Sequence, residues 1–419
     1  MSGLIGPVEA VLDRRLQAAS DAPVVVALSG GGDSVALTLV TAMWAKAHDR
    51  RLVVLHVDHG INPASQGWGQ SCADLAGRLG AEFQILVWTG PKPTTGLPAA
   101  ARLARHRLLA DAARAAGASV ILMGHTADDL CEAAMMRQAG SSVPDAREWA
   151  PSPVWPQGRG LFLLRPLLGI LRSDLRAWLT ARGEPWIDDP ANEDQRFARS
   201  RARRETPPVG RATLVHCQVE GLSDLAAQVA EDHGLSLSRE LLRAAPLADA
   251  KALVGVACLC AAGTTRPARG DRLDRLTHAL MGQQPVVATL GGARIEADAA
   301  QVRWMRQASE IARSGTALLS LESGEIGVWD GRFEITSLEA IRVGPLAGRM
   351  GRLAPNTRAK LARIPVAARG GLPVLIGPPV LCPTLEPVPG LVFNALSRTR
   401  LLHACGVIDR EIGSESRVR

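Results

Sequence analysis

The chain of 419 residues has no tyrosine and only five phenylalanines. It is also poor in lysine: Lys46, Lys92, Lys251 and Lys360 are the only ones in a basic total of 48, so the positive side is almost wholly arginine. The formal charge is +7 and the isoelectric point near 9.4. Genomic base composition and contact with an anionic partner such as nucleic acid both account for such an excess, and charge alone does not choose between them. No C-x-x-C pair occurs among the seven cysteines (Cys72, Cys131, Cys217, Cys258, Cys260, Cys382 and Cys405), which excludes a zinc ribbon and leaves no disulfide framework. Reduced, buried thiols are expected instead. The N-terminal "MSGLIGPVEAVLDRRLQAA" lacks a signal-peptide core, and no later stretch reaches the roughly 18 uninterrupted apolar residues of a membrane span. A cytoplasmic protein with no membrane partner is expected, as a monomer or homodimer. Internal repeats are absent too. What is present is an apolar fraction of 47%, ample for two or three globular domains.

Strand and helix signals alternate through the first part. Strands are expected at Pro23 to Leu28, Arg51 to Val57, "EFQILVW" and "SVILMGH"; helices at about Ser34 onward, Gln66 to Leu79, Ala99 to Ala116 and Ala127 to Gln138. This alternation predicts an α/β fold, a parallel sheet with helices on both faces. Ligands of such sheets bind beyond the carboxyl ends of the strands. Three polar clusters fall there: "SGGGDS" (Ser29 to Ser34), "HVDHG" (His56 to Gly60) and "GHTADD" (Gly124 to Asp129).

Consecutive glycines between a buried strand and a helix allow backbone amides to approach a ligand closely, and the helix N-terminus adds partial positive charge. Phosphate suits that environment, although a tight turn capped by Asp33 or Ser34 is the plainer alternative. A Walker A loop is excluded because no lysine lies in or beside the loop, and a G-x-G-x-x-G fingerprint is absent. With its strand and helix context, "SGGGDS" resembles the S-G-G-x-D-S loop of the N-type ATP pyrophosphatases. That resemblance implies cleavage of ATP between its α- and β-phosphates, transfer of AMP to a substrate oxygen, and a loop that holds the departing pyrophosphate.

A second set of motifs narrows the resemblance. "GHTADDLCEA" is similar to the G-H-x-x-D-D-Q-x-E-T motif of the tRNA(Ile)-lysidine synthetases, and "LLRPLL" and "WIDDPANEDQRFARSRAR" follow in the family's order. Leu130, Ala133, Ala191 and Ser200 depart from the family pattern, none at a charged position. The implied reaction adenylates the C2 oxygen of the wobble cytidine in an isoleucine tRNA with a CAU anticodon; free L-lysine then displaces AMP. ATP and Mg²⁺ are the implied cofactors.

On this reading the ATP-binding residues are Ser29, Gly30, Gly31, Gly32, Asp33 and Ser34, with His56, Val57 and Asp58 at the adenine. Asp33 is the expected Mg²⁺ ligand, with Asp128 as a second candidate. Asp128, Asp129 and Glu132 are expected to bind lysine; Asp129 and Glu132, at i and i+3, share one helix face. The plainer reading of these acids is a helix cap. Asp33, Asp129, Glu132, Arg199 and Arg203 are the expected catalytic set, and Arg165, Arg196 and Arg201 the expected tRNA contacts. Arg172 is grouped with Arg165 as an auxiliary.

Pro207-Pro208 suggests a boundary. The expected domains are a catalytic domain with an arginine-rich extension at 1–206, a helical domain at 207–284, and a β-rich tRNA-binding domain at 285–419 ending in a disordered "GSESRVR". Gly291-Gly292 and Asp330-Gly331 mark hairpin turns. Two alternatives stay open: a sulfur-transferring tRNA enzyme, which the scattered cysteines disfavour, and a non-catalytic RNA-binding protein with a vestigial nucleotide site.

Overall fold

The computed structural model describes residues 4–62, 65–140, 146–188, 220–231, 233–313 and 318–412. The chain divides into two compact units, Met1–His216 with Asp409–Arg419, and Cys217–Ile408.

In the first unit the strands are β1 (Val24–Ala27), β2 (Leu52–Asp58), β3 (Glu82–Val87), β4 (Val120–Met123), β5 (Trp149–Pro151) and β6 (Phe162–Leu164), ordered β3-β2-β1-β4-β6-β5. All neighbours are parallel except the edge pair β5 and β6. The helices are α1 (Ile5–Arg15), α2 (Gly32–Ala47), α3 (Ser65–Arg78), α4 (Leu97–Ala115), α5 (Ala127–Gln138) and α6 (Arg172–Ala181). Successive β1 side chains point to opposite faces. Val24 and Val26 join a core with α1, α2, α3 and α6 side chains such as Leu12, Leu37, Leu75 and Leu175. Val25 joins a second core with Leu109 and Ala113 of α4. Helices therefore cover both faces, as the unbroken Val24–Val26 run requires.

The strand order reverses between β1 and β4, so the chain leaves β1 toward β2 and β3 on one side and lies beside β4 on the other. The loops after these two strands meet at the switch point, where doubly wound sheets bind ligands. Residues 409–412 complete this unit. Glu411 pairs with buried Arg50 at 3.0 Å and accepts the Gln17 amide at 2.9 Å.

The second unit begins with α7 (Glu220–Ala227) and continues through β7 (Ala230–Glu231), β8 (Leu235–Ser238), α8 (Arg239–Ala244), α9 (Leu247–Ala262) and α10 (Asp271–Met281). The stretch 207–284, expected as a helical domain, thus contains a strand pair. Leu235 and Leu237 are buried while Ser236 and Ser238 are half-exposed, a period-two pattern too short to stand out between helices. β8 pairs with β11 (Gln301–Arg306), extending the hairpin of β9 (Val286–Leu290) and β10 (Ala293–Ala297) into an antiparallel sheet. Leu225, Leu253 and Leu276 of the helices share one core with Ile295, Val302 and Trp304 of these strands. The segments expected as separate helical and β-rich domains therefore bury their apolar faces against each other.

Both expected turns form, with Gly291 and Gly292 at φ +61° and +90° and Asp330 and Gly331 at +50° and +64°. Two three-stranded antiparallel sheets follow, one containing the Asp330-Gly331 hairpin. Among the described residues no helix is long and apolar enough to cross a membrane.

Candidate active site

β1 ends at Ala27 and α2 begins at Gly32, with Gly31 extended at φ −68° and ψ 154° as its N-cap. Gly30 sits at φ +89°, a conformation that a side chain resists, and it is the loop position where glycine is conformationally required. The two serines brace the turn. Ser34 Oγ donates to the Gly31 carbonyl at 2.9 Å and accepts the Ser29 amide at 3.2 Å. The amide of Ile187, beyond α6, donates to the Gly30 carbonyl at 2.9 Å, so the chain at Ile187 rests on the loop. The β4–α5 turn closes the other side: a Cβ on Gly124 would lie 3.1 Å from the Ser34 Cα and amide nitrogen. The two loops of the switch point are in backbone contact there.

Across that contact the acids gather. Asp33 lies in the first turn of α2, and Asp128, Asp129 and Glu132 lie on α5. They surround Arg172, the first residue of α6. Its Nε donates to Asp33 Oδ2 at 3.1 Å, Nη1 to Glu132 Oε1 at 3.1 Å and Nη2 to Asp129 Oδ1 at 3.4 Å, while its backbone amide donates to Asp128 Oδ2 at 2.8 Å. Burial alone would lower the guanidinium's pKa, but the carboxylates of Asp33, Asp129 and Glu132 outweigh it and hold the pKa above its ordinary value. Asp129 has a second duty, since its Oδ2 accepts from the Thr126 amide at 2.6 Å and hydroxyl at 3.1 Å. The cap expected on the plainer reading exists, and it occupies one of that carboxylate's two oxygens.

Sequence reasoning underrated Arg172. A signal was present: an arginine opening a helix stands at the positive end of the helix dipole, a position cations avoid unless acids compensate. Arg165, expected as a tRNA contact, is buried, with Nη1 donating to the Arg147 carbonyl at 2.7 Å. That bond ties the guanidinium to the chain's own backbone. Arg196, Arg199, Arg201 and Arg203 lie outside the described residues.

At the end of β2, His56 is buried and its Nδ1 lies 2.9 Å from the Leu28 carbonyl, tying β2 to β1. Its ring is thereby committed to the fold. Asp58 Oδ1 accepts the Gly60 amide at 2.8 Å. The Leu55 carbonyl accepts the Leu28 amide from the β1 side. Alternation along the strand turns the Val57 backbone to that same side, beyond the point where β1 has ended.

Cys72, Cys131, Cys258 and Cys260 are poor nucleophiles. Burial pushes the thiols of Cys72, Cys258 and Cys260 up to about 12. Cys131 on α5 is also raised, by burial and then by the neighbouring Asp128 and Glu132 charges. Thiolate chemistry has no support there.

Comparison with known proteins adds sequence relationships. The family model described as a PP-loop domain matches residues 7–209. A tRNA(Ile)-lysidine synthase from Caulobacter vibrioides is 47% identical over 381 residues, covering 88% of each chain. Proteins of the same name from Methylobacterium nodulans and Hyphomonas neptunium are 38% and 35% identical, over 67% and 70% of this chain and 89% and 85% of theirs.

Proposed function

The chain belongs to the tRNA(Ile)-lysidine synthase family of PP-loop enzymes, which use ATP to form a carbon–nitrogen bond, and on that premise we propose how its residues divide the work. One observation carries the proposal: Asp33 of the glycine loop and the α5 acids Asp129 and Glu132 face one guanidinium across the β1/β4 switch point. A phosphate-binding turn and an acidic hollow are thus neighbours, as a reaction joining a nucleotide-activated base to a cationic amino acid requires.

ATP lies with its phosphates over Gly30 to Ser34, where loop amides and the N-terminus of α2 screen their charge. The adenine meets the backbone at Val57, on the strand side left open beyond β1. The C2 oxygen of the wobble cytidine attacks the α-phosphorus and pyrophosphate departs, giving an O-adenylated base whose AMP is a competent leaving group. The lysine ε-ammonium is held by Glu132 and by the Asp129 Oδ1. It passes a proton to a carboxylate, and the freed amine attacks C2 and expels AMP. Arg196, Arg199, Arg201 and Arg203 contact phosphate of tRNA or nucleotide.

Mg²⁺ fits this site through Asp33, whose side chain is 21% exposed at the start of α2. Among the described residues no three His, Cys, Asp or Glu side chains gather as a metal cluster, and Mg²⁺ bound by one or two carboxylates, phosphate oxygens and water needs none. Asp33, with Asp128 as the second carboxylate, would hold the ion, which would neutralise phosphate charge during adenylation.

The test uses a CAU-anticodon isoleucine tRNA transcript, ATP and labelled lysine. Lysine enters the tRNA only with ATP, yielding AMP and pyrophosphate. Asp33→Ala abolishes adenylation, measured as pyrophosphate release without lysine. Glu132→Ala lowers lysine transfer more than pyrophosphate release. Release of ADP overturns the loop assignment, and equal loss of both steps in Glu132→Ala overturns the division of labour.

A further inference from the structure

We propose that Arg172 is a positioning residue that sets the distance between the two halves of the reaction, resting on the assignment of Asp33 to ATP and of Asp129 and Glu132 to lysine. Three of its nitrogens bond three different carboxylates, Asp33 on α2 and Asp129 and Glu132 on α5, while its backbone amide holds Asp128. The bridged residues are far apart in sequence, with separations of 139, 43 and 40 positions from Arg172. The first turn of α2, the helix after β4 and the start of α6 are tied through this one side chain.

Four carboxylates in one hollow repel each other, and a cation among them is favourable on charge alone. Charge does not explain the choice of arginine. A planar guanidinium offers five N–H donors in a fixed fork, and each edge is directed at a separate acceptor; an ammonium is a rotatable point charge that cannot hold three acceptors at set angles. The side chain is 13% exposed, against 2% for Glu132 and 9% for Asp129, so the fork works in surroundings that sharpen directional electrostatics. Its place at the N-terminus of α6 costs favourable dipole interaction, a position with no structural advantage except through the acids. Arg172 therefore does not react. It holds the lysine-side carboxylates in register with Asp33, so that the bound ammonium lies within reach of the activated carbon. Displacement of about 1 Å between reacting groups costs on the order of 100-fold in rate.

Three variants of the full-length protein test this: Arg172→Lys, Arg172→Ala and Glu132→Ala. Each is assayed for pyrophosphate release with ATP and tRNA but no lysine, and for lysine incorporation at varied lysine concentration, with thermal unfolding followed in parallel. Arg172→Lys retains the charge and loses the fork. It should keep pyrophosphate release within about threefold while the kcat/KM for lysine falls by roughly 10- to 100-fold. In Arg172→Ala the transfer step falls further, and guanidinium or methylguanidinium ion at ~20 mM restores it at least tenfold, whereas methylammonium does not. The inference is overturned if Arg172→Lys leaves lysine kcat/KM within twofold of the parent. It is equally overturned if both steps fall in parallel with the melting temperature and guanidinium restores neither, which is the behaviour of a merely structural tie. Glu132→Ala separates the two levels: equal loss of both steps there removes the site assignment itself, while selective loss of transfer beside a silent Arg172→Lys removes the inference alone.

Discussion

Gly124→Ala tests whether the contact between the two loops of the switch point matters for catalysis. Gly124 does not have a positive φ, so alanine is conformationally acceptable and only space is at issue. The added Cβ would lie 3.1 Å from the Ser34 Cα and amide nitrogen and 3.2 Å from the Asp33 carbonyl carbon, all of them backbone atoms in the first turn of α2. Backbone in a helix cannot rotate aside as a side-chain tip can, so the β4–α5 turn and α2 must separate by roughly 0.3 to 0.6 Å to reach ordinary van der Waals distance. Overpacking of this kind costs ~1–3 kcal/mol, offset by about 0.4–1 kcal/mol from the lower entropy of the unfolded alanine chain. The net loss of ~1–2 kcal/mol corresponds to a fall of about 2–8 °C in the first unit's melting temperature. Activity should suffer more than stability, because the gap opens between Asp33 and the α5 acids; about half an ångström there is worth ~10-fold in lysine incorporation. Gly77→Ala is the control. It lies in α3, where an added Cβ would meet nothing within 4 Å, so it should leave activity unchanged and the melting temperature equal or higher. Lysine incorporation within twofold of the parent in Gly124→Ala, at an equal melting temperature, would refute the reasoning.

Glu411→Ala should destabilise the first unit by ~3–5 kcal/mol, because it leaves Arg50 buried without its carboxylate; the two side chains are 2% and 1% exposed, and an unmoved denaturation midpoint contradicts the pairing. His106 is buried and its pKa lies at about 2, lowered by burial and then by Arg105 and Arg102, so below pH 6.5 the unfolded chain takes up a proton that the folded protein refuses. Its contribution is whole above pH 6.5 and is lost as pH falls, by about 1.4 kcal/mol per unit; His106→Leu should therefore flatten the decline in stability from pH 6.5 to 5, and an identical slope rejects the assignment. Cys131→Ser should incorporate lysine within twofold of the parent, since that thiol is held above its ordinary pKa beside Asp128 and Glu132; a loss of tenfold or more would revive thiol chemistry.

Much of the first unit was legible because its signals are local. The Val24–Val26 run, the glycine loop and the Thr126 start of α5 each sit within a few residues, and the helix over Ala127–Gln138 lies where the periodicity puts it. The features that escaped are those joined over long separations. Glu411 reaches Arg50 across 361 residues, and nothing in either neighbourhood announces the other. The strand pair Ala230–Glu231 and Leu235–Ser238 was hidden by length, since the two strands hold only two and four residues between helical segments.

Asp129 shows a different limit. Read from sequence, it was either a helix cap or a binder of lysine, as though the readings excluded each other. A carboxylate has two oxygens, and here Oδ2 accepts from Thr126 while Oδ1 faces Arg172. Capping fixes the rotation of the group, because turning Oδ1 away from the hollow would break the two bonds at Oδ2. An acid held in that way presents its second oxygen at a constant angle without side-chain entropy being lost on binding. The cap is therefore a condition for the proposed binding role rather than a rival to it, and Asp128 is held in a similar way, its Oδ2 accepting the first amide of α6.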